Sequence, residues 1–169
     1  MQQRIAIIGN SGSGKTYLAA KLGGLYNFPI VNLDDLFWAS SSYTTKRSKD
    51  EVYALLNQWR DVTSWIIEGV YGELIAYVFD DIEMLIWLDM DWVTCRERIL
   101  ARDKANRGQS EVDLGSLLDY ANAYWTRDNE RSHLGHASLY KQFLGVKYHL
   151  ASSEAVDQFL QQQAQCLLN

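Results

Sequence analysis

The sequence predicts a parallel α/β sheet with helices on both faces. Three observations lead there: short apolar runs rich in β-branched residues, helix-period stretches between them, and a glycine-rich turn joining the first run to the first helix. The first run, residues 4–8, reads R-I-A-I-I and stops at Gly9, as a strand covered on both faces would. Leu18, Leu22 and Leu25 then recur at helical spacing, with Gly23 and Gly24 near the expected helix end. Further apolar runs at 29–33, 65–67, 84–88 and 146–150 supply four more strands, with helical stretches between them. Ser48 with Glu51 reads as a capping box opening a helix over 49–60, and Ser110 with Asp113 reads as another start. Asp91 can cap a helix running from Trp92 toward Arg107, and a last helix over 153–166 carries Val156, Phe159, Leu160 and Leu167 as its apolar stripe.

Composition narrows the class. The chain has 169 residues, 47% apolar and 22% charged, which suits a single packed domain over 1–169. A net charge of −5 removes the basic footprint of general nucleic-acid binding, so nucleic acid is not an expected partner. Cys95 and Cys166 lack paired spacing and read as small buried apolar residues. His133, His136 and His149 lack metal-ligand spacing. No 18-residue apolar run and no signal-peptide pattern occur, so a cytoplasmic protein without a membrane span is expected, either a monomer or a homodimer.

Residues 9–16 carry the chemistry. Gly9, Asn10, Ser11, Gly12, Ser13, Gly14, Lys15 and Thr16 match G-x-x-x-x-G-K-[ST] completely, between a strand and a helix. Such a P-loop binds a nucleoside triphosphate with magnesium. Its glycines let backbone N–H groups point at phosphate oxygens, Lys15 would reach the β- and γ-phosphates, and the Thr16 hydroxyl would bind the metal. In an open parallel sheet, ligands lie at the C-terminal ends of the strands, which draws attention to the carboxylates there. Asp34 and Asp35 follow the second run, Glu68 ends W-I-I-E-G, and Asp89 ends L-I-W-L-D. The third strand is expected beside the first, making Glu68 the magnesium-side carboxylate. Asp34 could take a proton from an attacking hydroxyl or hold the acceptor, and Asp89 could equally begin a helix cap.

Arg96, Arg98, Arg102, Lys104 and Arg107 concentrate basic charge after the fourth strand, with Arg98 and Arg102 on one helical face. They read as a segment folding over the polyphosphate, or as a solvated face paired with Glu97 and Asp103. Arg127 and Arg131 repeat the spacing on an expected later helix. Trp59, Trp65, Trp87 and Trp92 fall on apolar strand or helix positions and read as core.

Together the P-loop, the L-D-x-L-F-W of 33–38, the W-I-I-E-G of 65–69 and the L-D of 88–89 resemble the adenylate-kinase-related proteins labelled DNA topology modulation or FlaR-like. The resemblance spans nearly the whole chain. It implies a three-layer P-loop NTPase fold of the nucleoside monophosphate kinase kind, strand order 2-3-1-4-5, ATP as donor, a small acceptor lobe near 36–64 and an arginine-bearing helical lid near 96–132. It further implies that Lys15 and Thr16 take triphosphate and magnesium, Asp34 faces the acceptor, Arg98, Arg102 and Arg107 belong to the lid, and 151–155 backs the adenine ring. Where those relatives have Asp-Gly-Asn-Tyr this chain has Glu68, Gly69, Val70 and Tyr71, and Val78 stands where an acceptor-phosphate arginine is often found. Basic residues of the 34–65 stretch include Lys46, Arg47 and Arg60. The leading expectation is ATP-dependent transfer to a small nucleotide, nucleoside or other hydroxyl compound; the alternative is an ATP-binding regulatory module or slow ATPase.

Overall fold

A computed structural model describes residues 3–39, 45–105 and 113–167. Five strands form one parallel sheet: β1 (Arg4–Gly9), β2 (Ile30–Asn32), β3 (Trp65–Gly69), β4 (Met84–Leu88) and β5 (Val146–Leu150), in the order β2-β3-β1-β4-β5. β1 lies at the centre, pairing Ile7 with Glu68 of β3 on one side and Ile7 with Ile86 of β4 on the other. That register brings Gly9, Glu68 and Leu88 to the same edge of the sheet.

Alternation along β1 explains why both faces are covered. Ile5 and Ile7 enter one core with Leu18 and Leu22 of α1 (Lys15–Tyr26) and Phe159 of α8 (Ser153–Cys166). Ala6 and Ile8 enter the other, with Val52 and Leu56 of α3 (Lys49–Arg60) and Leu74 and Ile75 of α4 (Gly72–Tyr77). Each fully buried isoleucine or leucine contributes about 1.5–3 kcal/mol, so the two cores fix the sheet between its helices. The remaining helices are α2 (Leu33–Phe37), α5 (Trp92–Ala105), α6 (Leu114–Asn122) and α7 (His133–Gln142), with 3-10 turns at Phe79–Asp81 and Ala123–Trp125.

Local chemistry sets most boundaries. Ser48 and Glu51 form the expected capping box, and Asp91 Oδ1 accepts from the Thr94 amide at 2.7 Å. Trp65 and Trp87 are buried, with Trp59 and Trp92 packed against the cores. Helix α1 ends at Tyr26, two residues past Gly24 and so near the expected end, and stops on Asn27 at φ 56°; Gly23 leaves room for Ile30, whose Cδ1 lies 2.7 Å from where a Cβ would be. Other expectations need correction. Asp113 is itself the N-cap of α6, accepting from the Ser116 amide at 2.7 Å, and Ser110 lies outside the described residues. Arg127 and Arg131 sit in the turn before α7, not on a helix. Cys166 and Leu167 are exposed because α8 outruns the core at its last turn, while Cys95 is buried as expected. No helix among the described residues is long and apolar enough to cross a membrane.

Candidate nucleotide and acceptor site

Residues 10–14 curl from the end of β1 into α1 through left-handed glycines. Gly12 has φ 77°, and a Cβ there would lie 2.4 Å from the Cys95 carbonyl oxygen of α5. Gly14, at φ 99°, lies under the Arg98 guanidinium, whose Nη1 would be 3.1 Å from an added Cβ. Only glycine permits this backbone and this close approach of α5. Lys15 Nζ donates to the Asn10 carbonyl at 2.9 Å, and Ser13 Oγ is buried without a hydrogen-bond partner among the described residues. The open first turn of α1, a poised ammonium and an unsatisfied hydroxyl fit a polyphosphate.

Four ionisable groups meet here. Thr16 Oγ1 donates to Glu68 Oε1 at 2.8 Å. Burial lowers the pKa of Lys15, opposed by the charges of Glu68 and then Asp34; Arg102 adds to the lowering. Burial raises the pKa of Glu68, opposed by Lys15 and the Thr16 hydrogen bond, with Asp34 and Asp35 pushing it further up. One ammonium among three carboxylates leaves an excess of negative charge beside a hydroxyl. A divalent cation would relieve that excess, so Thr16 and Glu68 fit a magnesium ion arriving with its nucleotide.

Asp34 is positioned by a different set of contacts. Asn32 caps α2, its Oδ1 accepting from the Asp34 amide at 2.8 Å, which fixes Asp34 in the first turn. Tyr71, buried just past β3, donates its hydroxyl to Asp34 Oδ1 at 2.5 Å, and Trp38 Nε1 donates to that hydroxyl at 3.1 Å. Burial and the Asp34 charge hold the phenol well above its ordinary pKa, so it stays protonated and remains a donor. The Arg131 guanidinium lies 4.5 Å from the ring centroids of both Phe37 and Tyr71, and its Nε donates to Glu73 Oε1 at 2.7 Å. Burial works to lower the pKa of Arg131, but the bond and charge of Glu73 outweigh it and raise the net value. Sequence reading passed over Tyr71, Trp38 and Glu73 as site residues; the tyrosine's place two residues after the strand-terminal Gly69 is the signal that could have found it.

The arginines divide. Arg98 is already held in place, donating from Nη1 to the Ser13 carbonyl at 2.7 Å and from Nη2 to Ser153 Oγ at 2.9 Å. It therefore ties α5 to the glycine loop and to the start of α8. Arg102, one turn on, is exposed, and its charge is felt at Lys15. Arg107 lies outside the described residues. Arg127 donates to the carbonyls of Tyr120 and Arg131 at 2.7 and 2.8 Å, so it braces the turn.

Asn10 also has a bracing contact: its Nδ2 donates to the Ala121 carbonyl of α6 at 2.8 Å while its Oδ1 accepts from the Ser11 amide. Asp89 is engaged by two imidazoles, His133 Nε2 at 3.2 Å and His149 Nε2 at 2.9 Å, which directs it to α7 and β5. Behind it, Trp87 Nε1 donates to the Tyr124 hydroxyl at 3.2 Å, that hydroxyl meets His136 Nδ1 at 2.8 Å, and His136 Nε2 donates to the Val70 carbonyl at 3.0 Å. Burial depresses the pKa of His136 to about 4. Among the described residues no group of three His, Cys, Asp or Glu side chains is arranged to hold a metal ion on its own. Val70 and Val78 are core residues, so apolar packing explains both departures from the relatives' pattern.

No protein-family profile and no curated protein sequence matches the chain. Solved structures do. Shikimate kinase from Acinetobacter baumannii, in complex with shikimate, is 15% identical over 99% of this chain and 94% of its own, with a TM-score of 0.61. Shikimate kinase from Bacteroides thetaiotaomicron is 14% identical over 99% of both chains, with a TM-score of 0.60. A gluconokinase from Sinorhizobium meliloti is 14% identical over 99% of this chain and 96% of its own, with a TM-score of 0.53. At such identities the likeness speaks to architecture, and with the observed strand order it establishes this chain as a three-layer α/β P-loop fold.

Proposed function

We propose that this chain is an ATP-dependent phosphotransferase acting on a small hydroxyl-bearing acceptor, working in the cytoplasm as a monomer or homodimer. One observation carries the reading: Asp34 and Glu68 flank Lys15 at the same sheet edge, so a phosphate-binding loop and a carboxylate suited to an incoming hydroxyl share one electrostatic site. The architecture shared with shikimate kinases and a gluconokinase is compatible with it.

In this reading the glycine loop and Lys15 hold the triphosphate, and Thr16 with Glu68 holds the magnesium ion, which supplies charge neutralisation at the phosphates when bound. Arg98 keeps the loop against Ser153, where the segment 151–155 backs the adenine. Asp34 orients the acceptor hydroxyl and takes its proton as the new O–P bond forms and the bond to the ADP leaving oxygen breaks. Arg102 and Arg107 stabilise the charge that develops on the transferring group. No covalent intermediate on the protein is required.

A second reading, a nucleotide-binding regulatory module or slow ATPase, is favoured by Val70 and Val78, core residues that stand where the resembling relatives carry polar groups. A coupled measurement of ADP release from Mg·ATP across nucleotides, nucleosides and sugars separates them. The phosphotransferase reading expects strong stimulation by at least one acceptor. ADP release that no acceptor stimulates would establish the second.

A further inference from the structure

The guanidiniums in contact with the α2 end of the site, Arg47 and Arg131, are already engaged. Arg47 Nη1 donates to the carbonyls of Asp35, Leu36 and Trp38, the first at 2.7 Å. Lys49 Nζ lies over the Tyr53 ring at 5.2 Å. Arg131 is paired with Glu73 and covered by Phe37 and Tyr71. Residues 40–44, Ser-Ser-Ser-Tyr-Thr, contain no basic side chain, and the buried Val78 supplies none either. Lys46 lies over the Phe37 and Trp38 rings.

Hydrogen-bond acceptors, by contrast, are in surplus. Glu73 Oε2 is buried and has no hydrogen-bond partner among the described residues, although its other oxygen takes the Arg131 bonds. A buried carboxylate oxygen without a donor is costly, and a ligand hydroxyl would satisfy it. Asp34 offers its second oxygen to the reacting hydroxyl once Tyr71 has taken the first. An anionic ligand would instead meet Asp34 and Asp35 where Arg47 and Arg131 are already bonded, whereas phosphate and carboxylate recognition ordinarily uses an unpaired arginine fork.

We infer that the acceptor is an uncharged polyhydroxy compound, its reacting hydroxyl on Asp34 and a second hydroxyl on Glu73 Oε2, and that the Glu73–Arg131 pair selects against phosphorylated or carboxylated acceptors. This rests on the phosphotransferase reading and sharpens it. Glu73 thereby becomes a specificity residue rather than a structural partner of Arg131.

The test uses the full chain with Mg·ATP carrying a labelled γ-phosphate and acceptors in matched pairs that differ at the anionic group: glucose with glucuronate, inositol with inositol phosphate, adenosine with adenosine monophosphate. At least one neutral member is expected to be phosphorylated with kcat/KM a hundredfold or more above its anionic counterpart. Preference for the anionic member overturns the inference while leaving a phosphotransferase in place. Bound ATP with no transfer to any member removes both. Glu73→Gln keeps the size, frees Arg131 and is expected to narrow the neutral-to-anionic ratio at least tenfold; an unchanged ratio in a folded variant removes Glu73 from the assignment. The matched pairs on the parent protein decide the acceptor class even if the variant does not fold.

Discussion

The two halves of the site are built in opposite ways. The nucleotide half is local: eight consecutive residues form the loop, and one strand and one helix aim it. The acceptor half is assembled from four separate places, Asp34 and Phe37 on α2, Trp38 just after it, Tyr71 and Glu73 around the start of α4, and Arg131 in the turn before α7. A local device tolerates change elsewhere in the protein. The assembled one depends on tertiary packing, so it is where selectivity can vary on a constant fold.

Changes that separate the halves break this comparison most sharply. Lys15→Ala removes the charge on the transferring phosphate, so turnover should fall about 10²–10³-fold with weakened ATP affinity. Calorimetry giving equal ATP affinity for variant and parent would take Lys15 off the phosphates. Glu68→Gln should lower turnover nearly as far while nucleotide binding survives, and saturating magnesium should not restore it. Because burial raises the Glu68 pKa above its ordinary 4.5, magnesium-dependent nucleotide affinity should start to fall at a higher pH than an ordinary glutamate would give.

Acid should weaken the fold behind Asp89, outside both halves. His136 is neutral in the fold, its Nε2–H on Val70 and its Nδ1 receiving the Tyr124 hydroxyl, and its pKa drops from 6.5 to about 4. The folded state therefore binds fewer protons than the unfolded state between those values. Stability is full above pH 6.5 and falls as pH drops from there toward 4, by about 3 kcal/mol at most from this group. Urea unfolding across that range should show the loss, and His136→Gln should flatten it. A stability profile level from pH 7 to 4 would mean that the imidazole protonates without cost.

Smaller effects refine the picture. Tyr71→Phe keeps the ring beneath Arg131 but removes the donor to Asp34, so kcat should fall roughly tenfold with ATP affinity unchanged, in line with a hydrogen bond to a charged group worth about 1.5–3 kcal/mol. An equal loss in ATP affinity would show that the two halves are not separable. Arg102→Ala should have the least effect, lowering turnover by a few-fold more than affinity, since its side chain is exposed and its charge acts from a distance.

Much of this architecture could be read from the chain alone. The period-two and period-3.6 patterns set the strands and most helices because burying an apolar face is a local requirement that every such segment must meet. Residues 9–16 were legible for the same reason: left-handed glycines, the lysine and the threonine act within one turn of backbone. Asp34 and Glu68 could be proposed from their places at strand ends, though not their shared effect on Lys15.

Tertiary structure alone decided the rest. Nothing in the spacing of Tyr71, Glu73 and Arg131 announces that they meet, since the last is 58 residues beyond Glu73 and is brought back by the path through β4, α5 and α6. Likewise, a carboxylate at the end of β4 looks in sequence like the one at the end of β3. Asp89 is bound by two histidines from α7 and β5, while Glu68 faces Thr16 and Lys15, because β3 and β4 flank β1 on opposite sides and meet different neighbours. Sequence fixes which side chains can bond; only the fold fixes which of their possible partners lie within reach, because hydrogen bonds and ion pairs are effective over a few ångströms and chain separation says little about that distance.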